Sequence, residues 1–178
     1  MRRIILGSIS LLAAISLSAG QNSNHVVEVQ ALMATDAIHS GSRAKAAVVA
    51  QITPGYHIND HNPSLDYLIP TDLKLEVSKQ ISLAGVFFPK GSLNKFAFSD
   101  APLSVYEGKL VVGTLVKVAK GVPPGTYKLE GKFSYQACND HACLPPASVP
   151  LALTIKVVGP NVPLKRHNAD VFDKLKYE

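Results

Sequence analysis

The sequence predicts an all-β protein, an antiparallel sandwich of immunoglobulin-like type, on three observations: apolar residues alternate with polar ones in short runs, turn formers separate the runs, and no strong helical period lies between them. A closed barrel would share this pattern. With 178 residues, 47% hydrophobic and 17% charged, and with 12 Gly and 12 Pro, the chain suits one folded domain with many turns rather than a disordered or collagen-like protein.

The strands follow in chain order. Val26 to Leu32 is the first expected, and Ala44 to Ile52 the second. The Ala-rich stretch from Ala31 to Ala50 has helix-forming composition, but Ser40-Gly41-Ser42 interrupts it, which favours two strands and a turn. Leu73, Leu75 and Val77 alternate with Lys74 and Glu76, and Ile81 to Phe87 and Leu110 to Val118 are two more candidates. Tyr127, Leu129, Phe133 and Tyr135 keep a period of two, as do Val149, Leu151, Leu153, Ile155 and Val157, so each run should bury one face. Pro54-Gly55, Pro89-Lys90-Gly91, Glu107-Gly108 and Pro123-Pro124-Gly125 supply the turns.

At the N-terminus, Arg2 and Arg3 precede an apolar run from Ile4 to Leu17 that ends in Ser18, Ala19 and Gly20, the three-part pattern of a secretory signal peptide. The expectation is a leader over residues 1–20, a β-domain over 25–158 and a C-terminal tail over 159–178 in which Val171, Phe172 and Leu175 are spaced for a weak helical turn. The leader's apolar run is short for a membrane span, and no later stretch reaches the ~20 apolar residues a spanning helix needs, so no stable membrane insertion is expected after cleavage. No cysteine stands at the cleavage point to carry a lipid; the expected location is the periplasm or another secreted compartment.

The net charge of +5 falls to about +3 once Arg2 and Arg3 leave with the leader. Without Trp, and with Lys165, Arg166 and His167 as the one tight cationic cluster, nothing suggests nucleic acid. No Gly-x-Ser-x-Gly elbow, phosphate-cradling loop or Cys-x-x-Cys-His haem site occurs, and no cofactor is expected.

Chemistry concentrates in Tyr135-Gln136-Ala137-Cys138-Asn139-Asp140-His141-Ala142-Cys143-Leu144-Pro145-Pro146. Export makes a disulfide the default for two close cysteines, and a strand ending in a turn can bring their Cα atoms to the ~4.4–6.8 Å a disulfide spans. As a staple such a short loop would contribute only ~2 kcal/mol in the chain-entropy model. The spacing therefore leaves three readings open: a structural bridge supporting an interaction module, a redox-active pair, or a metal site for zinc or cuprous copper drawing on His57, His61, Cys138, His141 and Cys143. Asp140 and His141 between the sulfurs could tune a thiolate in opposite directions, and Pro145 and Pro146 stiffen the exit.

Tyr135 to Cys138 with Cys143-Leu144-Pro145-Pro146 resembles the N-terminal domain of the thiol:disulfide interchange protein DsbD, a periplasmic Ig-like domain. Pro54-Gly55-Tyr56-His57-Ile58-Asn59, Phe88-Pro89-Lys90-Gly91 and Val105-Tyr106-Glu107-Gly108 are similar in the same order, so the resemblance spans His25 to Val158. It implies a protein-disulfide reductase type of activity in which Cys143 meets a partner and Cys138 resolves the mixed disulfide. It implies thioredoxin-like proteins as electron donor and acceptor, and an aromatic cap, Phe96 or Phe98, on the loop Asn94 to Asp100. Tyr56, His57, Asn59, Tyr135, Asp140, His141 and Pro145 complete the implied surroundings. The chain departs from that pattern with four residues between the cysteines where five are found, and with His57 and Asn59 where tyrosines occur. It carries no Cys-x-x-Cys, so a separate protein is expected to supply electrons.

Overall fold

The computed structural model describes residues 26–175 and Tyr177; the expected leader lies outside them. Among the described residues, twelve strands and one short helix follow in order: β1 (Val27–Met33), β2 (Ile38–His39), β3 (Arg43–Ile52), β4 (His57–Asn59), β5 (Asp72–Leu75), β6 (Ile81–Phe87), β7 (Ser92–Asn94), β8 (Leu103–Tyr106), β9 (Lys109–Val118), β10 (Gly125–Tyr135), β11 (Ala137–Cys138), β12 (Ala147–Val158) and α1 (Ala169–Phe172). All seven strands expected from alternation are present. Val77 is the exception in detail, since β5 stops at Leu75 and Val77 is 57% exposed.

Two larger sheets, ordered β1-β3-β9-β6 and β2-β12-β10-β5, face one another as an immunoglobulin-like sandwich, and a third, β11-β4-β8-β7, is built of strands of four residues or fewer. Every named pairing is antiparallel except the two-residue match of β2 with β12. Ser40 to Ser42 turn the chain rather than continue a helix, with Ser42 N–H donating to His39 O at 3.1 Å and Gly41 at φ 77°. A φ in that region suits glycine because it lacks Cβ. Pro150 sits inside β12 opposite Lys132; β2 covers the other side of β12 only at Val157 and Val158, so the missing N–H breaks no ladder bond there.

Alternation fills the interior in two clusters. Ala46, Ile81, Val116, Val118, Leu129, Leu153, Ile155 and Val157 pack at one end. Val27, Val48, Ala50, Ile52, Leu110, Val112, Phe133 and Tyr135 pack at the other, where Ile58 of β4, Tyr106 of β8, Ala137 and Leu144 join them. The third sheet is thus held to the sandwich by burying its own apolar residues in that second cluster.

Gly131 interrupts the inward-facing series of β10 because β5 passes so close that a Cβ there would lie 2.1 Å from Lys74 O and 2.9 Å from Leu75 Cα. Both are backbone atoms of a paired strand and cannot step aside. Gly131→Ala is expected to destabilise the fold by about 3 kcal/mol or more, read by urea unfolding. A change below ~0.5 kcal/mol would contradict this packing.

The tail is not an unattached appendage. It runs back over the outer face of the first sheet, where His167 N–H donates to Ala34 O at 2.9 Å and Asn168 Nδ2 to Met33 O at 3.0 Å. Val171 and Phe172 bury against Ala47, with Val49, Val111, Leu175 and Tyr177 around them. The expected helical turn is there, formed because these side chains cover outward-facing residues of β3 and β9 that water would otherwise meet. Arg166 pairs with Asp173 at 2.5 Å, so one member of the cationic cluster is spent within the tail.

Candidate redox site

The end of β10 continues through Gln136 into β11, and the chain then doubles back on itself. Leu144 N–H donates to Ala137 O at 2.8 Å and Asn139 N–H donates to Ala142 O at 3.0 Å. Those two bonds flank Cys138 and Cys143 and make them a directly opposed pair of the narrow, non-hydrogen-bonded kind, in which side chains approach closely. Their sulfurs are bonded, with Cα atoms 3.9 Å apart, closer than the span anticipated for disulfides in general.

Asn139 shapes this hairpin. Its Oδ1 accepts the backbone N–H groups of His141 and Ala142, both at 2.9 Å, replacing the ladder bonds that the tight turn forbids. Leu144, buried at 8% exposure, anchors the returning arm, and Gln136 Nε2 donates to its carbonyl at 3.3 Å. The two sulfur-bearing residues differ sharply in access: Cys138 is 2% exposed, whereas Cys143 is open to solvent, as are Asp140, His141 and Pro145 around it.

Across β11 stands β4, with Cys138 opposite His57 and Ala137 opposite Ile58. The turn before β4 explains the placement: Tyr56 N–H donates to Thr53 O at 3.1 Å, with Pro54 and Gly55 at the corners and Gly55 at φ 84°. Tyr56 packs half-buried against the core. His57 is 3% exposed, and its Nε2 is buried with no hydrogen-bond partner among the described residues. Burial pushes the imidazole below its ordinary value of 6.5, with Glu107 and Asp140 pulling weakly the other way.

Phe96 lies flat on His57 at 4.1 Å between ring centroids, and Phe98 stacks on Phe96 at 5.3 Å. Phe98 also lies 6.5 Å from His57 and is 46% exposed, so the three near-parallel rings form a cluster whose outer member meets solvent. Asn94 Nδ2 donates to Glu107 Oε1 at 3.0 Å and ties the base of this loop to the β8–β9 hairpin. Of the two residues expected as the cap, Phe96 packs directly on His57.

Asn59 and Tyr135 serve the frame. Asn59 Nδ2 donates to Ile69 O at 2.9 Å, holding the long loop before β5. Tyr135 is 1% exposed in the core beside Phe133, and burial raises its phenol's pKa. The five-residue metal set is not assembled: His61 is spent on Thr71 O at 2.9 Å and on the face of Phe88 at 4.1 Å, and the sulfurs are bonded to each other. No group of three or more His, Cys, Asp or Glu gathers at metal distance among the described residues.

The sequence reading missed Asp60. This carboxylate, 6% exposed, accepts Tyr106 Oη at 2.5 Å, Ser104 Oγ at 2.6 Å, Gly91 N–H at 3.0 Å and Asn62 N–H at 3.2 Å. Burial pushes its pKa up, but the four donors outweigh that and hold it below the ordinary value of 3.8. Gly91 is required there, since a Cβ would stand 2.6 Å from Asp60 Oδ2.

An immunoglobulin-like sandwich carrying a two-cysteine hairpin, one sulfur-bearing residue buried and one open, defines a class of protein built around a single accessible disulfide. The chain belongs to the family described as thiol:disulfide interchange protein DsbD, N-terminal, which matches residues 23–154. Among solved structures it is similar to the reduced DsbD N-terminal domain of Neisseria meningitidis, at 19% identity and a TM-score of 0.45, covering 72% of this chain and 85% of that one. It is also similar to the N-terminal periplasmic domain of ScsB from Proteus mirabilis, at 15% identity and a TM-score of 0.49, covering 75% of this chain and 47% of that one. No curated protein matches it. Among the described residues no helix is long and apolar enough to cross a membrane.

Proposed function

We propose that this chain is an exported thiol:disulfide exchange domain that passes reducing equivalents to extracytoplasmic proteins, with thioredoxin-like proteins as electron donor and acceptor. The observation that carries the reading is the unequal access of the two cysteines in one hairpin, together with family membership. An incoming thiolate can reach the exposed Cys143 Sγ, forming a mixed disulfide as the bond to Cys138 breaks and Cys138 leaves as a thiolate. In the opposite direction, reduced Cys143 attacks a partner's disulfide, and Cys138 then attacks Cys143 Sγ and expels the partner as a thiol. The leader-like segment at residues 1–20 supports a periplasmic or secreted location, where such pairs are not held reduced by cytosolic thiols.

Mixing the oxidised protein with a reduced thioredoxin-type dithiol, quenching with an alkylating agent and weighing the products tests this. Two alkyl groups on this chain and none on the oxidised partner are expected. A chain that stays unlabelled while the partner keeps its thiols would remove the proposal.

A further inference from the structure

We infer that His57 is the proton acceptor for Cys138 in the resolving step, an inference that rests on the exchange reading above. The register sets His57 directly opposite Cys138 on neighbouring strands, so their side chains leave the same face of the sheet within reach of one another. Cys138 is 2% exposed and His57 3%, and water has little access to take a proton from the buried thiol. The buried Nε2 of His57 has no hydrogen-bond partner among the described residues, a cost that a structural histidine normally avoids. Phe96 covers one face of the ring.

The charged groups acting on the imidazole are Glu107, beyond β8, and Asp140, at the tip of the cysteine hairpin. Both would stabilise the imidazolium once formed, while burial keeps the resting ring neutral and able to accept. The step balances as follows. With a partner's sulfur on Cys143, neutral His57 takes the proton of the Cys138 thiol, and the thiolate attacks Cys143 Sγ to form the Cys138–Cys143 bond. The partner leaves as a thiolate, which receives the proton back from the imidazolium. Run in reverse, imidazolium His57 protonates Cys138 as the bond opens.

The test uses the reduced protein and a symmetrical aryl disulfide whose released thiolate absorbs visible light. Attack by Cys143 releases a first equivalent at a rate that depends on probe concentration, and attack by Cys138 releases a second at a rate that does not. In His57→Phe, which keeps a stacking ring, and in His57→Gln, the first release should be unchanged. The second should slow by about 100-fold at pH 7 and rise about tenfold per pH unit, as a thiol without a base does. Second release at the wild-type rate and pH profile in both variants would overturn the role of His57. Release of only one equivalent by the wild type would instead remove the relay reading itself. Should neither variant fold, NMR titration of His57 in the wild type decides: its pKa must fall on reduction, because the Cys138 thiol then donates to Nε2 and favours the neutral ring, and equal values in both redox states would overturn the inference.

Discussion

Cys143→Ser is expected to form no mixed disulfide with a thioredoxin-like partner, whereas Cys138→Ser is expected to form one that accumulates. The asymmetry follows from access. Cys143 is exposed at the returning arm of the hairpin, while Cys138 sits at 2% exposure between β4 and the core. A lone Cys138 thiol in the Cys143→Ser protein can approach a partner's sulfur only if the hairpin opens. In the Cys138→Ser protein the exposed thiol still reacts, but no neighbour remains to displace the partner. Loss of a well-oriented intramolecular thiol, whose effective molarity far exceeds millimolar external thiol, should lengthen the life of the mixed disulfide by at least about a thousandfold. Non-reducing electrophoresis reads both variants, with a partner whose single remaining cysteine is supplied as a mixed disulfide with an aryl thiol, so that the attacking thiol of this chain displaces the aryl thiolate. Equal trapping by the two would show that the assignment of roles is wrong, and trapping by Cys143→Ser alone would reverse it.

Asp60→Ala should cost about 3 kcal/mol or more of stability. Its two oxygens satisfy Tyr106 and Ser104 of β8, Gly91 and Asn62, which come from three separate stretches of chain, so removing the carboxylate strands several donors at once. The pH dependence has a definite sign. Because the folded pKa lies below the ordinary 3.8, the native state binds fewer protons than the unfolded chain between those values. The contribution is therefore complete above about pH 4 and lost as pH falls through the folded pKa. Urea unfolding from pH 7 down to pH 2 measures this; Asp60→Asn should be less stable at pH 7 and lose less on acidification. Since β4 carries both His57 and, one residue past its end, Asp60, the variants should also loosen the strand beside Cys138. Stability within ~1 kcal/mol of wild type at pH 7 would show that the network contributes no more than a surface cluster.

The sandwich was legible in the sequence because its strands are long enough to show a period. Tyr127 to Tyr135 and Val149 to Val157 alternate as the structure pairs them, register for register. The sheet that holds the site was not, since β4, β7, β8 and β11 have three, three, four and two residues, too few to display alternation. Cys138 and Cys143 stood out through their spacing, and Asn139 could have been found, because an Asn ahead of a tight turn carries its own side-chain acceptor. Asp60 left no local signal: its partners Ser104 and Tyr106 lie 44 and 46 residues away, and only the folded topology brings them together. His57 was visible as a residue, yet its position opposite Cys138 depends on a two-residue pairing that no sequence pattern announces. The tail's three apolar side chains were likewise visible, but the face they cover exists only after β3 and β9 have paired.

The reduction potential of the Cys138–Cys143 pair, taken by equilibration against a thioredoxin-type couple of known potential with alkylation and mass spectrometry as the readout, bears most directly on the exchange function. A value above about −300 mV, in the range where thioredoxin-like proteins trade electrons, is the predicted result. A value below that would mark an inert structural bridge and contradict the account.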